Sequence, residues 1–257
     1  MSKNMEKAEE KRTEAIETKE LTKVFGTKTA VDHLSLTVHE GELFALLGVN
    51  GAGKTTTIRM LCGLSAMASG TASVLGYDVS RETDQVKRII GISPQDTAVA
   101  EKLTVEENLN FMAEIYGDLP GGKSRKDRVE ELIRAFALEE FRKKQARTLS
   151  GGWKRKLSIA MALIGEPKVI FLDEPTLGLD VLARRELWNV IRKLKGKTTI
   201  ILTTHYMEEA EALADRIGIM VSGRLVDLGT LAELEEKSGK KGLEEVFIAA
   251  AEREGLS

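Results

Sequence analysis

Three short apolar runs punctuate the chain: Leu43 to Leu47, Val169 to Leu172 and Ile200 to Leu202. Each gives way at once to a polar, glycine-bearing or acidic segment. Unbroken apolarity over so few residues predicts strands covered on both faces, as in a parallel sheet. Residues 19–41 instead alternate apolar and polar positions around turn points at Gly26 and Gly41, and predict antiparallel strands; Gly70 to Val79 reads the same way. Between 104 and 148 the period becomes helical. Thr104 and Glu107 form a capping box ahead of VEENLNFMAEIYG, Pro120, Gly121 and Gly122 break the chain, and Val129, Leu132, Ile133 and Phe136 share one face of a second helix. A capped helix starts near Thr230, closing on Glu233, and LEEVFIAAA forms the last helix. The pattern predicts a mixed α/β architecture. A charged tail spans 1–18 and the main domain 19–240, with a helical subdomain inserted at about 98–165; a C-terminal helix occupies 241–257.

Bulk composition narrows the partners. The 257 residues are 42% hydrophobic and 30% charged, as in an ordinary globular chain. The 38 basic against 40 acidic side chains give a formal charge of −2, so no broad electrostatic attraction to nucleic acid is expected. The single cysteine, Cys62, excludes an intrachain disulfide and reads as a buried structural thiol in a reducing compartment. No run approaches the roughly 18–20 apolar residues that cross a bilayer, and the first twenty residues lack the apolar core of a secretory signal. Any membrane role is expected to come through a partner chain.

The chemistry starts at Gly48, where GVNGAGKT fits the phosphate-loop pattern of glycine, four residues, glycine, lysine, then serine or threonine. Glycines let successive backbone N–H groups curl around phosphate oxygens, and the loop opens a helix whose N-terminus favours anions. Gly48, Asn50, Gly51, Gly53, Lys54, Thr55 and Thr56 are therefore nucleotide-binding candidates, with Lys54 reaching the β- and γ-phosphates and the Thr55 hydroxyl reaching Mg²⁺. The second apolar run ends in Asp173-Glu174. A carboxylate at the end of a buried strand beside such a loop supplies the metal's second anchor, and the next one is suited to orient or deprotonate the attacking water.

Leu149-Ser150-Gly151-Gly152 heads the apolar helix LSIAMALI and forms a second anion-binding helix start. Both starts can hold one ATP only if the second belongs to another subunit. With LSGG in place, the sequence strongly resembles the ATPase domains of ABC transporters. The resemblance implies a P-loop NTPase core with a mixed, mainly parallel sheet, an antiparallel β subdomain and the inserted helical subdomain. It implies ATP and Mg²⁺ as ligands, with Ser150, Gly151 and Gly152 acting on ATP bound by a second subunit, identical or a paralogue. Gln95, in GISPQD, resembles the glutamine that senses Mg²⁺ and water and faces the membrane partner. Asp180 resembles the loop aspartate that crosses the dimer interface, and His205 the switch histidine at the γ-phosphate. Phe25 resembles the aromatic on which adenine stacks, and otherwise reads as a packing residue. His33 and His39 match no motif and read as surface groups.

LTVEENLNFMAEIYG and THYMEEAEALADRIGIMVSGRL resemble the subfamily serving drug, lipid or polysaccharide exporters and sodium extrusion. The implied function is an ATPase subunit working through a transmembrane permease at the cytoplasmic face of a bacterial plasma membrane. Two positions depart from the family pattern. Trp153 stands where glutamine is usual, and fits either packing across a dimer interface or packing inside the helical subdomain. Val181 replaces the proline that usually follows Asp180, which alters that loop's rigidity. Chromosome-organising ATPases insert long heptad coiled coils, absent here. Two-domain translation factors carry the motifs twice, small-molecule P-loop kinases lack LSGG, and GTPases need Asn-Lys-x-Asp.

Overall fold

A computed structural model describes residues 13–117 and 122–255. Pro120 and Gly121 lie outside the described residues, as does most of the expected charged tail. The part of that tail that is described does not behave as one. Strand β1, Glu14–Phe25, pairs with β2, Lys28–His39, so the ordered β structure begins before residue 19. Ala15 and Ile16 are fully buried there. A dense run of charge hid two apolar residues whose worth lies in cross-strand packing.

The order β2-β1-β4-β5 makes an antiparallel sheet, with β4 at Ser69–Val74 and β5 at Tyr77–Asp78. A second sheet has the order β10-β9-β3-β8-β7-β6. Its members are β3 (Leu43–Leu47), β6 (Ile90–Ser93), β7 (Val169–Asp173), β8 (Thr199–Thr204), β9 (Arg216–Val221) and β10 (Arg224–Gly229). All its pairings are parallel except that of β10 with β9.

The unbroken apolar runs are explained by two cores, one on each face of this sheet. Leu43, Ala45, Leu47, Ile170, Leu172, Ile200 and Leu202 point into one, and Phe44, Leu46, Val169, Phe171 and Ile201 into the other. Each large apolar side chain so buried contributes about 1.5–3 kcal/mol. The second core is closed by the antiparallel sheet and α1 (Lys54–Leu61). The first is closed by helices α3 (Val105–Tyr116), α4 (Arg125–Ala135), α5 (Gly151–Ala162), α6 (Val181–Leu194), α7 (Met207–Leu213) and α9 (Leu243–Arg253). The short α2 (Thr83–Ile89) leads into β6, and α8 (Leu231–Ser238) precedes α9. Both capping boxes form, Thr104 with Glu107 and Thr230 with Glu233. Helix α9 puts Leu243, Val246, Phe247 and Ala250 into the first core and so belongs to the same packed body.

His33 is exposed, as expected, and lies 2.6 Å from Asp32. His39 is not simply a surface group: it is half-buried, and its Nδ1 is enclosed without a hydrogen-bond partner. Cys62 is buried beyond the end of α1, where burial first, and the charge of Asp173 second, push its thiol pKa well up.

Candidate functional site

The site grows out of the C-terminal ends of three adjacent parallel strands, β3, β7 and β8, where buried strands hand over to loops. After Leu47 the chain turns through residues 48–53 into α1. A Cβ on Gly48 would lie 2.4 Å from the Met220 carbonyl oxygen. Gly53, with φ +103°, would place one 2.4 Å from the Ala30 carbonyl oxygen. Gly48 and Gly53 are thus required by the surrounding protein, whereas Gly51 is set by its φ of +84° alone. Lys54 is 5% exposed, and its Nζ donates to the carbonyls of Gly48 at 2.7 Å and Val49 at 3.2 Å. The ammonium also lies 3.1 Å from Glu174 Oε1.

Asp173 closes β7 opposite Thr203 of β8. Its Oδ1 accepts from the Thr203 hydroxyl at 2.5 Å and from the Thr55 hydroxyl at 3.0 Å. This links the end of the sheet to the start of α1. Glu174, 4% exposed, sits at φ +49°, a left-handed conformation a non-glycine residue rarely adopts. Its N–H is held by both the carbonyl and the hydroxyl of Thr203, at 3.1 and 3.0 Å. Backbone strain of this kind persists only where the surroundings over-determine it, as at functional positions. The carboxylate spans Lys54 on one oxygen and His205 Nδ1, 2.7 Å away, on the other. In that contact the carboxylate is the acceptor and Nδ1 the donor. A carboxylate this buried is tolerable because two partners compensate it.

A cavity of about 480 Å³ borders these groups, within the usual size for small-ligand sites. It is lined by Phe25, Lys28 and Ala30, by residues 50–56, and by Gln95, Glu174 and Leu177. The Phe25 ring is half-exposed, with Lys23 Nζ 4.8 Å from its centroid. The oxygen donors fit a hard cation: the Thr55 hydroxyl and Asp173 carboxylate are already 3.0 Å apart, and Gln95 lines the same cavity. A larger cleft of about 630 Å³, between α4 and α6, contains none of these groups.

The structure therefore gathers Phe25, Asn50, Gly51, Gly53, Lys54, Thr55, Thr56, Gln95 and Glu174 on one cavity. Gly48, Asp173 and His205 are joined to it by direct contacts. Ser150, Gly151, Gly152 and Asp180 do not line it. Ser150 is the exposed N-cap residue of α5, and its side chain makes no capping bond. Gly152 packs close to α6, where an added Cβ would meet the Ala183 methyl at 3.3 Å. Asp180 caps α6, its Oδ1 accepting from the N–H groups of Leu182 and Ala183, each at 2.9 Å. Trp153 is half-buried and has neighbours inside the helical subdomain. Its ring lies 4.2 Å from that of Phe141, and Lys156 Nζ is 4.0 Å from its centroid. Val181, at the first position of α6, is 63% exposed.

Sequence reasoning missed Thr203, which organises both acids, and Lys28 and Leu177 on the cavity wall. Thr203 carried no local signal, because only the pairing of β7 with β8 sets it opposite Asp173. Lys28 carried none either.

Comparison with known proteins agrees with this geometry. A family model described as "ABC transporter" matches residues 31–177. The daunorubicin/doxorubicin resistance ATP-binding protein DrrA of Streptomyces peucetius is 44% identical over 90% of this chain and 70% of its own length. The phospholipid-transporting ATPase ABCA3 of Homo sapiens is 43% identical over 87% of this chain, which spans only 13% of that protein. An ATP-binding cassette, MJ0796, solved as a dimer in a post-hydrolysis state with ADP and Pi, superposes with a TM-score of 0.75. It has 25% identity and covers 84% of this chain and 98% of its own.

Proposed function

The chain belongs to the ABC transporter family of ATP-binding subunits, and from that premise we propose that each of its ATP sites is completed by a second ATPase subunit. ATP binding and hydrolysis coupled to transport are the activity of this family and of this chain. In our reading, ATP enters the cavity with its base against Phe25 and its phosphates over residues 48–56. The buried Lys54 ammonium, now shared between two carbonyls and Glu174, supplies positive charge to the β- and γ-phosphates. Thr55, Asp173 and Gln95 would hold Mg²⁺, which when bound neutralises charge on the phosphate oxygens.

Glu174 takes the proton from the attacking water, whose oxygen bonds to the γ-phosphorus as the bond to ADP breaks. His205 keeps that carboxylate aimed through the 2.7 Å contact and, with Lys54, stabilises the charge that develops on the transferred group. The carrying observation is the contact chain Lys54–Glu174–His205 beside the phosphate loop, with Ser150, Gly151 and Gly152 off the cavity they would serve. That arrangement supports a second subunit, identical or a paralogue, presenting its Ser150 turn and Asp180 loop to the γ-phosphate. ATP then favours the closed pair, because only that state makes contacts from both sides, and loss of the γ-phosphate reopens it.

No described helix is long and apolar enough to cross a membrane, and in this reading a transmembrane permease provides the path. The drug-resistance and phospholipid-transport names of the relatives favour export, with the subunit docked on the cytoplasmic face of a bacterial membrane. The test is Glu174→Gln, which keeps shape and hydrogen bonding but removes the base. ATP binding should persist while turnover falls about 10²–10⁴-fold. Near-normal turnover would remove Glu174 from the role of base.

A further inference from the structure

Arg155, on α5, belongs to no motif used above. Its side chain is 5% exposed, and its two terminal nitrogens grip successive backbone carbonyls, Pro94 O and Gln95 O, each at 2.6 Å. One turn further along the same face, Ser158 Oγ lies 3.0 Å from Ser93 Oγ, and both residues are buried. Three consecutive residues at the end of β6 are thus bonded to the helix that Ser150 heads, and Arg155 lies a little over one turn from Ser150.

The two ends of this link serve different places. Gln95 borders this chain's own cavity, whereas Ser150 does not. If the 93–95 segment moved without α5, the guanidinium would be left buried with unpaired donors, a costly arrangement. Its planar fork also fixes the direction of both carbonyls, which an ammonium cannot do.

We infer that Arg155 is a positioning residue that locks the Gln95 turn to the Ser150 helix, so that nucleotide in one subunit's cavity sets the orientation of the segment it presents to the other site. The inference rests on the proposed composite site and adds a residue that makes the two sites cooperate. Coupling of this kind appears as an ATP dependence steeper than hyperbolic, limited by the two sites of the pair.

The test uses the full chain with Arg155→Met and Arg155→Lys. Nucleotide affinity is read with a fluorescent ADP analogue, pairing by size exclusion with ATP in the Glu174→Gln background, and turnover by steady-state hydrolysis. Both variants should bind nucleotide within about threefold of the parent, while Arg155→Met loses about tenfold or more in kcat with KM little changed. Its ATP-driven pairing should fail and its Hill coefficient should drop toward one. Arg155→Lys, able to hold one carbonyl, should recover part of both. Parental kcat and pairing in both variants would overturn the inference alone. Lost nucleotide binding in both would also overturn it, making Arg155 a prop for the cavity. Failure of Glu174→Gln by itself to pair with ATP would bring down the composite site and the inference together.

Discussion

Glu209, in the first turn of α7, is fully buried behind the loops that carry Glu174 and His205. Its Oε1 accepts from the Trp188 indole at 3.0 Å, and Oε2 is enclosed without a partner in hydrogen-bonding geometry. Burial raises the carboxyl pKa above its ordinary 4.5; the hydroxyls of Thr204 and Thr176 and the indole draw it back, and the charge of Glu174 pushes it up again. The native state therefore holds this proton more tightly than the unfolded chain. The stabilisation it gives is complete below pH 4.5 and is lost as pH rises through the higher native value. One proton is worth at most about 1.4 kcal/mol per pH unit across that window. Glu209→Gln removes the titration while its amide oxygen still accepts from Trp188. All other groups are common to both proteins, so the difference between the two stability curves isolates this one. The stability of the glutamine variant relative to the parent should climb with pH above 4.5, by up to about 1.4 kcal/mol per unit, and then level off. Urea unfolding followed by circular dichroism at half-unit steps from about pH 4.5 to 8 measures it. A difference that stays flat with pH, or one that favours the parent as pH rises, would refute the reasoning.

Two further substitutions test backbone demands at the site. Gly53→Ala forces a side chain onto a left-handed residue and drives its Cβ toward the Ala30 carbonyl. It should cost at least about 1–2 kcal/mol of stability, read by urea unfolding, and should also weaken nucleotide binding in a fluorescence titration. Asp180→Ala removes the cap of α6. It should cost about 1 kcal/mol, a fall of roughly 2–4 °C in Tm by calorimetry, whereas Asp180→Ser should keep most of that.

Much of the site could be read locally because its chemistry is local. The phosphate loop, the Asp173-Glu174 pair and both capping boxes each lie within a few successive residues, where backbone geometry and side-chain type dictate one another. The runs at 43–47 and 169–172 declared themselves because both faces of their strands are buried. The start of β1 did not: Ala15 and Ile16 are worth burying only against β2 and β4, which the local run of charge cannot reveal. Thr203 gained its place only through the register that sets it opposite Asp173. The neighbours of Trp153, Phe141 and Lys156, likewise emerged only from the packing of the helical subdomain. The assignment of Ser150 and the phosphate loop to different surfaces was likewise a matter of packing. Sequence alone marked the local motifs: the phosphate loop, the acidic pair and the Ser150 turn. Tertiary structure decided which of them meet within one chain, because contacts between distant segments depend on register and packing that no short stretch encodes.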